Sequence, residues 1–138
     1  MWEVLPNLYL GDRHDSRDRA LLSRHGLTHV VNCAVGLPCV FPSELRYLSL
    51  ELEDPDREFS KRVPAAIEFI DEGRRSGAVL VHCGAGVSRS AAVVLSYLCH
   101  LGRPLHDACA ELSRAVLTGI DELFLSQIAA AQGMTLSK

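Results

Sequence analysis

The run Val79-Leu-Val-His-Cys-Gly-Ala-Gly-Val-Ser-Arg-Ser90 constrains what this 138-residue chain can fold into more than any other segment. Ala78 to Val81 is short, apolar and β-branched, the pattern of a central strand, and Ala91-Ala-Val-Val-Leu-Ser-Tyr-Leu98 reads as a buried helix. The link between them carries two glycines, one cysteine and one arginine, with Cys83 and Arg89 six positions apart. That is enough loop to curl around a tetrahedral anion, its backbone N–H groups pointing inward at the start of the following helix. A bare Cys-to-Arg spacing is a weak signal; strand, loop and helix in this order give it weight.

Each residue type in the link has a chemical reason. A thiol flanked by a helix N-terminus, amide dipoles and a guanidinium is biased toward the nucleophilic thiolate. Gly84 and Gly86 let the backbone pass close to an anion. Arg89 offers a planar fork that holds two oxygens at once, which lysine cannot do. The amides of Gly84, Ala85, Gly86, Val87, Ser88 and Arg89 complete the expected cradle. Ser90 places a hydroxyl where it can stabilise a departing thiolate, and His82 can orient the loop through a ring N–H. The ordinary alternative for Cys83 is an inert core thiol, which this neighbourhood argues against.

At these residues the chain resembles the cysteine-dependent protein tyrosine phosphatase superfamily, whose loop reads His-Cys-x5-Arg-Ser/Thr, and most closely its small atypical dual-specificity phosphatases. The resemblance runs nearly end to end. Val4 to Gly11 looks like the family's opening strands, Gly26 to Ala34 like its second core strand, and Tyr47 to Asp54 like the strand leading to an acid loop; His82 to Ala92 is the most specific match. The resemblance implies hydrolysis of phosphate monoesters by way of a phosphocysteine on Cys83, with no metal or cofactor. It also implies an aspartate that protonates the leaving oxygen and then activates water.

That acid is sought in Glu53-Asp-Pro-Asp-Arg-Glu58, a turn-forming run with four carboxylates. The family pattern favours Asp54, but its spacing to Cys83 is short for the family, so Asp56 stays open, as do Glu53 and Glu58. An acidic turn that merely caps the next helix is the plainer reading of such a run. Cys33, at the end of a strand expected beside the phosphate loop, is a candidate redox partner of Cys83, because some superfamily members place a protecting cysteine there. A small core cysteine is the alternative.

The coarse element pattern is as follows. Residues 2 to 10 form two short strands around Pro6-Asn7, Asp15 to His25 a helix stopped by Gly26, and Thr28 to Cys33 and Arg46 to Leu52 strands on either side of the loop Gly36 to Pro42. Ser60 to Ser76 is a helix with Val63, Ile67 and Ile70 on one face and Pro64 in its first turn. Ala78 to His82 is the central strand. Helices follow over Ser90 to Leu101, His106 to Leu117 and Asp121 to Ala131, with breaks at Gly102-Arg-Pro104 and Thr118-Gly119. The fold class is α/β: a single domain spanning residues 1–138, with a central, mostly parallel sheet flanked by helices and the site at the C-terminal end of a strand.

Composition sets outer bounds. The formal net charge of −3 provides no basic field for nucleic acid or anionic lipid. No apolar run approaches a membrane span, and no signal-peptide or myristoylation pattern opens the chain. Five cysteines without a Cys-x-x-Cys pair fit a reducing compartment, cytosol or nucleus, better than a disulfide framework or zinc site.

The resemblance implies phosphorylated proteins as the partners. A phosphoinositide phosphatase would be expected to carry lysines in the loop, an RNA 5′-phosphatase a basic surface, and a non-catalytic phosphate-binding adaptor to lack the cysteine. Near the C-terminus the family's proline and asparagine pattern is missing, while Phe124, Gln127 and Ile128 survive. Phe124 and Ile128, four apart on a helix, read as core.

Overall fold

The computed structural model describes residues 1–84, 88–115 and 120–132. Strands β1 (Trp2–Leu5) and β2 (Leu8–Gly11) form an antiparallel hairpin whose turn places Asn7 at φ 66°, a left-handed conformation asparagine tolerates. Then come α1 (Arg19–Arg24), β3 (Leu27–Ala34), β4 (Arg46–Leu52), α2 (Phe59–Ser76), β5 (Ala78–His82), α3 (Ser88–His100), α4 (Leu105–Ala115) and α5 (Glu122–Ala131). The five strands form one sheet in the order β1-β2-β5-β3-β4, parallel everywhere except the opening hairpin. This is the expected mostly parallel α/β architecture. No described helix is long and apolar enough to cross a membrane.

Strand alternation divides the core. Leu8, Leu10, Val31, Cys33, Val79, Val81 and Cys83 belong to the larger cluster, which α2, α3, α4 and α5 cover, while Val30, Ala78 and Leu80 join Leu22 of α1 in a smaller one. Every described residue of α3 from Ser90 to Leu98 is buried, as befits a helix enclosed by a sheet and other helices. Tyr97 ties α3 to α2: its hydroxyl donates to Asp71 Oδ1 at 2.5 Å and accepts from Arg74 Nη1 at 3.1 Å.

Three element expectations need correction. The helix expected over Asp15 to His25 is a 3-10 turn, Asp15–Arg17, followed by α1. The break arises because Asp12 Oδ1 accepts the His14 and Asp15 amides, and Asp18 then caps a new helix by accepting from Leu21 N at 3.0 Å. Pro64 lies in the second turn of α2, where it removes one intrahelical hydrogen bond. Helix α3 starts at Ser88, two residues before the expected Ser90, so the loop's last residues are already helical. The expected break at Thr118-Gly119 and the end of the preceding helix at Leu117 lie outside the described residues.

Helix α2 packs unusually close to the sheet at Gly73. A Cβ there would sit 2.5 Å from Val79 Cγ2 and 2.9 Å from His29 Cγ. Gly73→Ala gains helix propensity of about 1 kcal/mol, but both neighbours are buried and cannot retreat, so overpacking of about 1–3 kcal/mol wins. The variant is expected to unfold at lower urea concentration than wild type; equal or greater stability would show that the helix can lift away without cost.

His29 and His82 are 4% and 1% exposed, and burial foremost pushes both imidazole pKa values below the ordinary value. The unfolded chain therefore binds protons at these sites more readily than the native state, and stability is complete above about pH 6.5 and falls below it. Asp71, held low first by the Tyr97 hydroxyl, adds a loss only at more acidic pH. Urea midpoints should drop between pH 7.5 and 5.5, and less so in His82→Gln. An identical pH dependence in the variant would remove His82 from this account.

Candidate active site

Three parallel strands end side by side at one edge of the sheet, and their exits build the site. Strand β5 is buried along its whole length and pairs with β2 and β3 on its two sides, so Cys83 leaves it from the middle of the sheet. Continuing the Val79, Val81 alternation, Cys83 turns toward α3 and is fully buried. Its Sγ lies 3.3 Å from the equally buried Ser90 Oγ, in the first turn of α3. The sulfur thus faces the N-terminal end of a thirteen-residue helix, whose orphan amides and dipole favour negative charge.

Arg89 joins two strand exits. Its Nη1 donates to the carbonyl of Leu52, the last residue of β4, at 3.0 Å, while its buried Nε has no partner among the described residues. Nη2 lies only 3.2 Å from where a Cβ on Gly84 would stand, so a side chain at position 84 would press on the guanidinium. Ala85, Gly86 and Val87, the middle of the expected cradle, lie outside the described residues. Ser88, expected only to lend its amide, also directs its hydroxyl to Asp54 Oδ1 at 3.3 Å.

The two aspartates left open by the sequence are in different situations. Asp54 is exposed, on the rim, and meets the start of α3 through Ser88. Asp56 is 6% exposed and both its oxygens are engaged: Oδ2 accepts from Glu53 N at 3.0 Å and Oδ1 from Glu58 N at 2.8 Å, with Arg62 Nε 3.6 Å from Oδ2. Asp56 therefore braces the turn that displays Asp54. Glu53 and Glu58 are exposed, and Glu58 pairs with Lys61.

Sequence reasoning missed a second brace. From α5, Gln127 Nε2 donates to the Asp56 carbonyl at 2.7 Å and its Oε1 accepts from Ser60 N at 2.8 Å, so one side chain holds both the acidic turn and the start of α2. Phe124 and Ile128, 0% and 4% exposed, are core, and Phe124 packs on Phe59 with ring centroids 5.0 Å apart. The signal was that Gln127 survives from the family's C-terminal pattern, set between two core residues.

His82, directly before Cys83, hydrogen-bonds the Cys83 backbone, a contact that works against the burial that keeps its ring neutral; Nδ1 has no partner among the described residues. Cys33 is fully buried. Asn32 pairs with His82, so Cys33 stands beside Cys83 on the neighbouring strand and on the same face. Burial first, then the neighbouring Cys83, holds the Cys33 thiol protonated, its pKa well above the ordinary value. No group of three His, Cys, Asp or Glu side chains among the described residues is placed to hold a metal ion.

Known proteins resemble this chain in sequence and in fold. Residues 8–116 match the family model for the dual specificity phosphatase catalytic domain. Dual specificity protein phosphatase 19 of Mus musculus is 39% identical over 97 residues, covering 69% of this chain and 44% of the relative. Dual specificity protein phosphatase 2 of Mus musculus is 44% identical over 98 residues, covering 70% and 31%. The chain thus spans less than half the length of these curated relatives. The crystal structure of human tyrosine phosphatase-like serine/threonine/tyrosine-interacting protein superposes with a TM-score of 0.88 at 30% identity, covering 96% of this chain and 95% of the other. A mouse putative dual specificity phosphatase complexed with zinc tungstate gives 0.89 at 26% identity, covering 96% and 86%. With a match running from β2 through the end of α4, the chain belongs to the dual specificity phosphatase catalytic-domain family of the cysteine-dependent protein tyrosine phosphatase superfamily.

Proposed function

We propose that this domain hydrolyses phosphotyrosine and phosphoserine or phosphothreonine in proteins through a phosphocysteine. The observation that carries the reading is convergence: an exposed carboxylate on Ser88, a guanidinium anchored to Leu52, and a thiol beside Ser90 all meet at the first turn of α3. The Cys83 thiolate attacks phosphorus, forming an S–P bond as the P–O bond to the side chain breaks, and Asp54 gives its proton to the departing oxygen. Asp54, now ionised, takes a proton from water as that water attacks phosphorus. The S–P bond breaks, inorganic phosphate leaves, and Ser90 Oγ donates to the restored thiolate.

Arg89, anchored to the Leu52 carbonyl before the reaction starts, holds the equatorial oxygens throughout. The complex of a related mouse protein with zinc tungstate supports an oxyanion as ligand here. The thiolate nucleophile and five thiols without a disulfide fit a reducing compartment, cytosol or nucleus. Net charge of −3 favours protein over nucleic-acid or membrane substrates. An adaptor that binds phosphate without turnover is disfavoured by the presence of both Cys83 and Arg89.

The test compares wild type, Cys83→Ser, Asp54→Asn and Asp56→Asn on phosphotyrosine and phosphothreonine peptides and on nitrophenyl phosphate. Cys83→Ser should lose turnover, and a near wild-type rate would overturn the covalent mechanism. Asp54→Asn should lose about 10²-fold or more in kcat on peptides and far less on nitrophenyl phosphate, whose leaving group hardly needs a proton. Asp56→Asn should lower stability and affect all substrates alike; the opposite pattern would move the acid role to Asp56. Wild-type failure on phosphothreonine with good phosphotyrosine turnover would reject dual specificity.

The same reading includes a redox role for Cys33. Peroxide oxidises the Cys83 thiolate to a sulfenic acid; Cys33 sulfur displaces its hydroxyl, the Cys33 proton leaves as water, and a disulfide remains. The support for this role is that Cys33 and Cys83 directly follow the paired residues Asn32 and His82 and belong to the same buried cluster. Mild peroxide should produce a Cys33–Cys83 peptide and inactivation that thiols reverse, whereas Cys33→Ser should be inactivated irreversibly. Equal recovery in both proteins would remove Cys33 from the account.

A further inference from the structure

The connection from β3 to β4 begins with Ala34-Val-Gly-Leu-Pro-Cys-Val-Phe-Pro42, a run without a charged residue in a chain that is 22% charged. Surface loops rarely expose large apolar side chains in sequence, yet Val35 is 49% and Val40 38% exposed. The placement of the run is specific. Ala34 pairs with Leu52, and the Leu52 carbonyl receives Arg89, so Val35 emerges between the exit that carries Cys83 and Gly84 and the exit that carries Glu53 and Asp54. Leu37 Cδ1 lies 3.9 Å from where a Gly84 side chain would stand. Asn32, fully buried, fixes this course by donating to the Leu37 carbonyl at 2.8 Å and accepting from Ala34 N at 3.2 Å. The apolar strip is therefore continuous with the phosphate site and held in place.

The opposite side of the site is acidic. Glu51, Glu53 and Asp54 are exposed, and no lysine or arginine lies between Arg46 and Arg57. An acidic residue next to a bound phosphoresidue would meet the like charge of these carboxylates, while an apolar one would find Val35, Leu37 and Pro38.

We infer that the segment Val35 to Pro38 selects substrate: it receives a large apolar side chain adjacent to the phosphorylated residue, so the domain acts on phosphoproteins whose phosphosite has an aliphatic or aromatic neighbour rather than an acidic one. The inference rests on the proposed phosphatase activity. Covering half of a leucine side chain is enough to separate substrates by about fivefold in kcat/KM.

The experiment uses matched phosphotyrosine peptides that carry Leu, Ala or Asp on each side of the phosphotyrosine in turn, with nitrophenyl phosphate as the reference substrate. On at least one side, wild type should prefer Leu over Ala by about fivefold and Ala over Asp. Val35→Ser and, separately, Pro38→Ser should shrink the Leu preference toward parity while leaving nitrophenyl phosphate turnover at the wild-type level. Equal kcat/KM for Leu and Ala peptides in wild type, or a Leu preference that survives in both variants, would overturn the inference and leave the phosphatase reading standing. Wild type inactive even on nitrophenyl phosphate would instead remove the phosphatase reading, and this inference with it.

Discussion

The hydrogen bond from Arg89 to the carbonyl of Leu52 is the contact on which the rest of the site depends. It ties the helix that follows β5 to the end of β4, across the strand β3 that lies between them. Holding it requires that the chain turn from strand to helix within a few residues, that Gly84 leave room for the guanidinium, and that β4 stop at Leu52. Once it is made, one face of the fork is committed to the scaffold and the remaining donors have a fixed direction. An arginine held this way serves an anion better than a mobile one, because less rotamer entropy is lost when the anion arrives.

Parallel pairing explains why so much chemistry gathers in so short a chain. Parallel strands bring their C-terminal ends to one edge, and each end opens a segment of a different character: β5 the sulfur, β4 the carboxylate, β3 an apolar strip. The helices on the Cys83 side of the sheet have two tasks. Helix α3 presents its N-terminus to the sulfur, and α5 reaches back through Gln127 to the acidic turn. The close approach of α2 at Gly73 keeps that layer tight against the strands.

The strand-loop-helix unit was readable because its signal is local: a β-branched run, glycines at the bend, then a helix apolar on all sides. The parallel sheet followed from the same alternation and from the family pattern. The family pattern favoured Asp54 over Asp56, but the sequence does not show which backbone amides each carboxylate meets, and Glu53 and Glu58 lie on both sides of either residue. The helix near Asp15 was overextended because Asp12 and Asp18 compete with the helix for backbone amides, and apolar periodicity does not register that competition. The role of Gln127 escaped because its partners, Asp56 and Ser60, are about seventy residues away along the chain.

That distance has a consequence for how the protein comes into being. Synthesis makes the strands, the sulfur and its helix before residue 127, so the acidic turn cannot be clasped through Asp56 and Ser60 until the last described helix has been made. The geometry around Asp54 therefore needs a residue that is made after every strand, the sulfur and its helix.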